Sequence, residues 1–215
     1  MIEEDSPDLG RQPFGQAAAH GSTTQGGSVG SVRGKVLGVV GSSAGGVEEL
    51  RTGLVAPALE RGWMVAVTLT PTAGQWLRAS GETTELEGLT GFPVRAESRF
   101  PGDARPHPPA DCYVVAPASA NTVAKLALGI SDNQALTQVN EAIGTLDVPV
   151  VVWPRVNAAH TRHPAWEGHI NALHDSGVRL IYGDEVWPLA EPREGVPGRQ
   201  YPWGAVLDEA AKALP

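Results

Sequence analysis

The chain has 215 residues, 41% of them apolar, which suits one domain with a sizeable core, or a domain plus a tail. A formal charge of −8 opposes a phosphate backbone and argues against a nucleic-acid partner, and the single cysteine, Cys112, rules out an intramolecular disulfide framework or a multi-cysteine metal site. No apolar run approaches the roughly 20 residues that span a bilayer, and the acidic start Met1–Asp5 lacks the basic-then-apolar pattern of a secretion signal, so a cytoplasmic protein without a membrane partner is expected.

Residues 1–34 show no hydrophobic periodicity and are crowded with Gly, Ser, Thr and Gln, as in Gly21–Ser28. Such a segment cannot offset its ordering entropy by burial, so a flexible tail is predicted there, with the folded domain over residues 35–215. Val36–Val40 is a short apolar run ending in glycine, the pattern of a strand buried on both faces. A helix is predicted over Val47–Arg61, with Val47, Leu50, Leu54 and Ala58 along one side. Strand Met64–Leu69, a helix over Ala73–Ala79 and a strand at Pro93–Ala96 follow. Strand Cys112–Ala116 leads into helices over Ser119–Leu128 and Asp132–Ile143. Then come strand Val148–Trp153, helix Trp166–Ser176, strand Val178–Tyr182 and a closing helix Trp203–Leu214. This alternation predicts an α/β fold: a Rossmann-like, doubly wound parallel sheet between two helical layers.

In such sheets ligands bind outside the carboxyl ends of the strands. The first of these ends is Gly41-Ser42-Ser43-Ala44-Gly45-Gly46, whose small residues let a phosphate approach backbone N–H groups at a helix start. It is neither a Walker loop nor a dinucleotide fingerprint. The second strand ends in Thr68–Thr72, whose hydroxyls suit a phosphate or a ribityl chain. The same residues also make a tight turn and a capped helix. At the third end, Pro117 is expected to stop the strand by removing a donor, and Ser119 or Asn121 can cap the helix beyond. Asn121 can also donate to a carboxylate or a flavin carbonyl without bringing charge.

Pro117–Thr122, followed by Ala124-Lys125-Leu126-Ala127 and Gly129-Ile130-Ser131-Asp132-Asn133, resembles the signature of the homo-oligomeric flavin-containing cysteine decarboxylases. The similarity extends over most of residues 35–183. It implies bound FMN, a flavoprotein-type Rossmann-like protomer, and a homo-oligomer (trimer or dodecamer) with the flavin at a subunit interface. By that likeness Gly41, Ser42, Ser43, Thr70, Thr72, Ala118 and Ser119 bind the cofactor, and Asn121 orients the substrate carboxylate. Relatives also carry a Pro-x-Met-Asn-x-x-Met loop after the next strand that clamps the substrate. Pro154 and Asn157 match it, whereas Val156 and His160 stand where methionines are usual.

The likeness departs elsewhere too. Relatives place a catalytic histidine about eight residues before the acid that opens the strand, here Asp111. That position holds Asp103, and the nearby histidine is His107, in a proline-bounded loop. His107 is the candidate for the thiol proton, with an exposed loop residue as the other reading. His160, His163, His169 and His174 close no metal-ligand set by spacing, so no metal is expected. Cys112 reads as a small buried hydrophobe, Trp76 as a core residue, with contact to flavin or a neighbouring subunit as the other reading, and Arg193 and Arg199 as solvated charges, with a carboxylate or phosphate contact as the other.

The resemblance implies an FMN-dependent oxidative decarboxylase of a cysteine-bearing carboxylate, giving an enethiol. The substrate is a cysteine-containing peptide, acted on at its C-terminus, or a small cysteine conjugate. Direct loss of CO2 from cysteine would leave an unstabilised carbanion, and oxidation at Cβ to a thioaldehyde supplies the electron acceptor. Two alternatives stay open: an FMN-binding regulatory or binding subunit without decarboxylase activity, and a flavin prenyltransferase of the same fold.

Overall fold

The computed structural model describes residues 32–194 and 198–214; the tail expected over residues 1–34 falls almost wholly outside them. Five strands form one parallel sheet: β1 (Val36–Gly41), β2 (Met64–Leu69), β3 (Cys112–Ala118), β4 (Val150–Pro154) and β5 (Arg179–Leu180), in the order β2-β1-β3-β4-β5. The helices are α1 (Ala56–Glu60), α2 (Pro71–Ala79), α3 (Glu82–Thr90), α4 (Ala120–Ala127), α5 (Gln134–Ile143), α6 (Ala158–Thr161), α7 (Trp166–Asp175) and α8 (Trp203–Ala213).

The strands are valine-rich because both faces of the sheet are covered. Leu37, Val39, Val67, Val114 and Trp153 share one core with Ala58 of α1, Leu77 of α2, Leu86 of α3 and Leu207 of α8. Val40, Val115 and Val152 share the other with Val123 of α4, Val139 of α5 and Leu173 of α7. The result is the Rossmann-like α/β/α sandwich expected. Strand order reverses between β1 and β3, and at such a switch point the outgoing loops diverge and leave a crevice.

Several elements differ from the sequence reading. The segment predicted as one helix over Val47–Arg61 changes winding twice: a 3-10 turn at Val47–Glu49, a π-helical stretch at Leu50–Val55, then α1. Pro57 has no N–H to donate to the carbonyl of residue 53, so the ladder cannot run at α spacing there. Helix α3 is absent from the reading because its only buried side chain is Leu86, too little for an apolar stripe. The expected strand at Pro93–Ala96 shrinks to one parallel bridge between Arg95 and Thr68. Pro117 does not stop β3. The strand absorbs it at a register shift between Val115 and Ala118, where a missing N–H is tolerated. From Arg95 the chain returns to β3 without a helix, since prolines 101, 106, 108 and 109 exclude one.

Candidate active site

At the carboxyl ends of β1, β2 and β3 the outgoing loops enclose a pocket of about 210 Å³. Ser43 lines it from the turn after β1, Thr70 and Thr72 from the start of α2, and Asn121 from the first turn of α4. Both helices begin at this pocket, so their unpaired N–H groups and positive dipole ends favour an anion. Thr70 Oγ1 is buried and makes no hydrogen bond, which leaves a polar atom in want of a partner. Asn121 is exposed. Lys125, one turn further along α4, pairs with Asp132 across the rim, and this hydrogen bond holds the Asp132 carboxyl below its usual range. Asn133 accepts from Leu136 N–H at 3.1 Å and caps α5.

The geometry of this pocket depends on one buried hydroxyl. Ser42 Oγ donates to the Pro117 carbonyl at 2.8 Å and accepts from Ser119 N–H at 2.7 Å. The Ser42 N–H also goes to the Pro117 carbonyl. Ser42 therefore ties the β1 turn to the β3 loop and has no hydroxyl proton left for a ligand. Ser119 caps α4, accepting from Thr122 N–H at 3.3 Å and sharing a 3.0 Å contact with the Thr122 hydroxyl. Gly41 serves packing: a Cβ there would lie 2.9 Å from Leu69 Cδ2. Ala118 is fully buried, and its carbonyl accepts from Arg155 N–H.

On the other side of α4 lies an apolar pocket of about 390 Å³ that holds Asn157. Asn157 caps α6, its Oδ1 accepting from His160 N–H at 3.1 Å. Ala120 and Ala124 of α4 form one wall of this pocket, and Trp166, His160, His163 and His169 contribute to the rest. Pro154 pairs with Ala118 in the sheet, and Val156 is buried. Among the described residues no group of three His, Cys, Asp or Glu side chains is placed to hold a metal.

His107 is not brought to Asn121. It lines a third cavity, its Nε2 2.7 Å from the Pro93 carbonyl and its ring edge-on to Phe92. Burial pushes its pKa down, with Arg95 adding to the shift against the Pro93 bond. Cys112 is buried, and that burial pushes its thiol up to about 12, so it is no nucleophile. Trp76, expected in the core, is 51% exposed on α2, one turn past Thr72. Arg199, expected to be solvated, stacks on Trp187 with its guanidinium 3.5 Å from the ring centroid. The site residues that reading the sequence left without a role, Lys125, Asp132 and Asn133, all lie inside the quoted signature.

Known proteins of similar sequence and fold place the chain in a family. A curated cysteine/cysteine sulfinic acid decarboxylase from an unknown prokaryotic organism is 38% identical over 71 residues, 33% of this chain and 19% of that protein. The chain thus spans about a fifth of that relative's length. Among solved structures, the FMN-dependent cysteine decarboxylase TvaF from thioviridamide biosynthesis superposes with a TM-score of 0.61 at 26% identity, over 84% of this chain and 98% of TvaF. The FMN-dependent cysteine decarboxylase SpaF gives 0.59 at 25%, over 86% of this chain and 97% of SpaF. The sequence model of the Flavoprotein family matches residues 32–214, most of the chain, which therefore belongs to the Flavoprotein family.

Proposed function

We propose that residues 35–215 bind FMN and catalyse oxidative decarboxylation of a cysteine-bearing carboxylate, the C-terminal cysteine of a peptide or a small cysteine conjugate, giving an enethiol. The observation that carries this reading is the convergence of Ser43, Thr70, Thr72 and Asn121 on one pocket at the sheet's switch point, in a chain similar over most of its length to TvaF.

The residues present fit the cofactor. The orphaned Thr70 hydroxyl, the Ser43 turn and the start of α2 suit an oxyanion such as the FMN phosphate. Bound there, FMN supplies the two-electron oxidation at cysteine Cβ that allows CO2 to leave the neighbouring carbon. Asn121 then donates its amide N–H to the substrate carboxylate. A neutral amide orients that group without stabilising its charge as an arginine would, which favours departure as neutral CO2. Asn157, the other proposed substrate contact, caps α6 in the apolar pocket behind α4 and is not brought to Asn121 within one protomer.

The pocket of about 210 Å³ is below the roughly 300–1,000 Å³ of sites that engulf a small ligand, and Trp76 stands half exposed on α2. A homo-oligomer, trimer or dodecamer, completes the site. His107 enters the chemistry only through a second copy, since within one protomer it lines a different cavity. Among the described residues no helix is long and apolar enough to cross a membrane.

The test is Asn121→Ala. Retained FMN with decarboxylation reduced on the order of 100-fold, the scale of a misplaced substrate, supports the assignment. Full activity with FMN bound refutes it. The second reading is a flavoprotein that does not decarboxylate, favoured by Val156 and His160 in the clamp loop and by the placement of His107. It predicts a flavin that neither cysteine peptides nor cysteine conjugates reduce.

A further inference from the structure

The helix-free return from Arg95 to β3 leaves a cavity of about 400 Å³ against the sheet face that Gly38, Ala66 and Thr68 share. Ordinarily a crossover helix would fill this position in a doubly wound sheet. Here the prolines exclude one, and the small residues Gly38 and Ala66 keep the floor low. The Tyr113 ring occupies part of the space, 2.5 Å from where a Gly38 Cβ would be.

The walls mix apolar surface, from Pro106, Pro108, Ala142 and Val148, with a basic cluster. Arg95, Arg99 and Arg105 all line the cavity beside His107, and among the described residues none of the three forms an ion pair. Arg99 is engaged with the carbonyls of Phe100 and Asp103. Arg95 is not engaged by its side chain: its Nη2 is buried without an acceptor. Across from it, on α5, the Gln138 Oε1 is buried without a donor. Glu141 is the one carboxylate among the lining residues. A buried guanidinium N–H and a buried amide carbonyl, each unsatisfied, are what a protein tolerates where a ligand supplies the missing partners. Burial, with Arg99 alongside, also lowers the Arg95 pKa, which an arriving anion would relieve.

We infer that this cavity is a second binding site, separate from the pocket at the carboxyl edge, for a small molecule that carries an oxyanion beside a hydroxyl or N–H donor. Arg95 takes the oxyanion through the planar fork that matches phosphate and carboxylate. Gln138 accepts from the neighbouring donor, and Arg105 adds charge at the rim. The two unsatisfied groups are of opposite kind, which is why a bare anion satisfies only half of the site. Within one protomer the two pockets share no lining residue; His107, which the proposed function carries to a second copy's flavin, is common to both readings, so Arg95 and Gln138, not His107, tell them apart.

The experiment uses the full chain saturated with FMN, titrated with glycerol 3-phosphate, with lactate and with sulfate, an oxyanion that carries no donor at neutral pH. Calorimetry measures affinity, and the His107 ring resonances report on this cavity whether or not flavin is held. Saturable binding of glycerol 3-phosphate or lactate that moves the His107 signals is expected, and which of the two binds tells phosphate from carboxylate. Arg95→Gln, which keeps the main-chain bridge to Thr68, should weaken binding at least tenfold. Should that variant not fold, Gln138→Leu is the second test: it should weaken the hydroxyl-bearing probes and leave sulfate unchanged. Two outcomes overturn the inference: no saturable binding with the His107 resonances unmoved, or unchanged affinity in a folded Arg95→Gln protein.

Discussion

Removing the Ser42 hydroxyl tests whether fold and site are joined where the structure joins them. In Ser42→Ala the Pro117 carbonyl keeps the Ser42 N–H, but the 2.7 Å bond to Ser119 N–H and the 2.8 Å bond to Pro117 are both lost. An orphaned donor costs about 1–3 kcal/mol and a lost neutral bond about 0.5–1.5, so the sum is about 1.5–4.5 kcal/mol, centred on about 3. Alanine fits the space, so no steric cost is added. For a domain of this size, about 3 kcal/mol lowers Tm by roughly 6–12 °C. The assay is thermal unfolding followed by circular dichroism, with urea unfolding as the check that the slope is unchanged. The β1 turn and the β3 loop frame one pocket, so FMN retention should fall together with stability. A Tm within about 2 °C of the parent, with FMN retained, would refute the claim that this hydroxyl sets the distance between the loops.

Gly53→Ala would put a Cβ 2.2 Å from Trp203 Nε1, where indole and π-helical backbone are both packed. Overpacking of this kind costs about 1–3 kcal/mol, read as a lower urea midpoint, and an unchanged midpoint would show that α8 stands off from this stretch. His107 should titrate below the ordinary histidine value, because burial disfavours its charged form. Above pH 6.5 it is neutral folded or unfolded and contributes nothing. As pH falls through the unfolded value of about 6.5, the unfolded chain gains the proton first, and stability declines until the folded pKa is reached. An NMR midpoint at or above 6.5 would contradict the placement of this ring.

Much of this was legible in the residues, and the exceptions have physical causes. β2 occurs at the predicted Met64–Leu69 because an apolar run flanked by turn residues has few alternatives. The candidate cofactor loops were legible because ligand sites in such sheets are confined to strand ends, and Ser43, Thr70, Thr72 and Asn121 do meet there. What the pattern did not reveal was how hydroxyls are used. Ser42 read as a ligand contact, yet its Oγ holds one loop to another through partners about 75 residues away, whereas Ser119 takes the helix-cap role that the sequence also offered, through Thr122 three residues on. Helix α3 escaped because it buries a single leucine. Trp76 looked like core by its type, but helical phase turns it outward. The fate of His107 could not be read at all, since a proline-rich loop gives no periodic signal for where its side chain goes.

The central claim, that the pocket at the switch point holds a flavin that oxidises a cysteine carboxylate, is tested most directly by one anaerobic experiment. The visible spectrum of the purified protein is recorded before and after addition of a peptide ending in cysteine, and the peptide is then weighed by mass spectrometry. A flavin band that bleaches while the peptide loses the mass of CO2 and two hydrogens is the predicted result. A band that persists beside unchanged peptide, and equally beside small cysteine conjugates, would contradict the decarboxylase reading and leave the non-catalytic flavoprotein in its place. A protein that shows no band even after FMN is added back would contradict the assignment of the pocket itself.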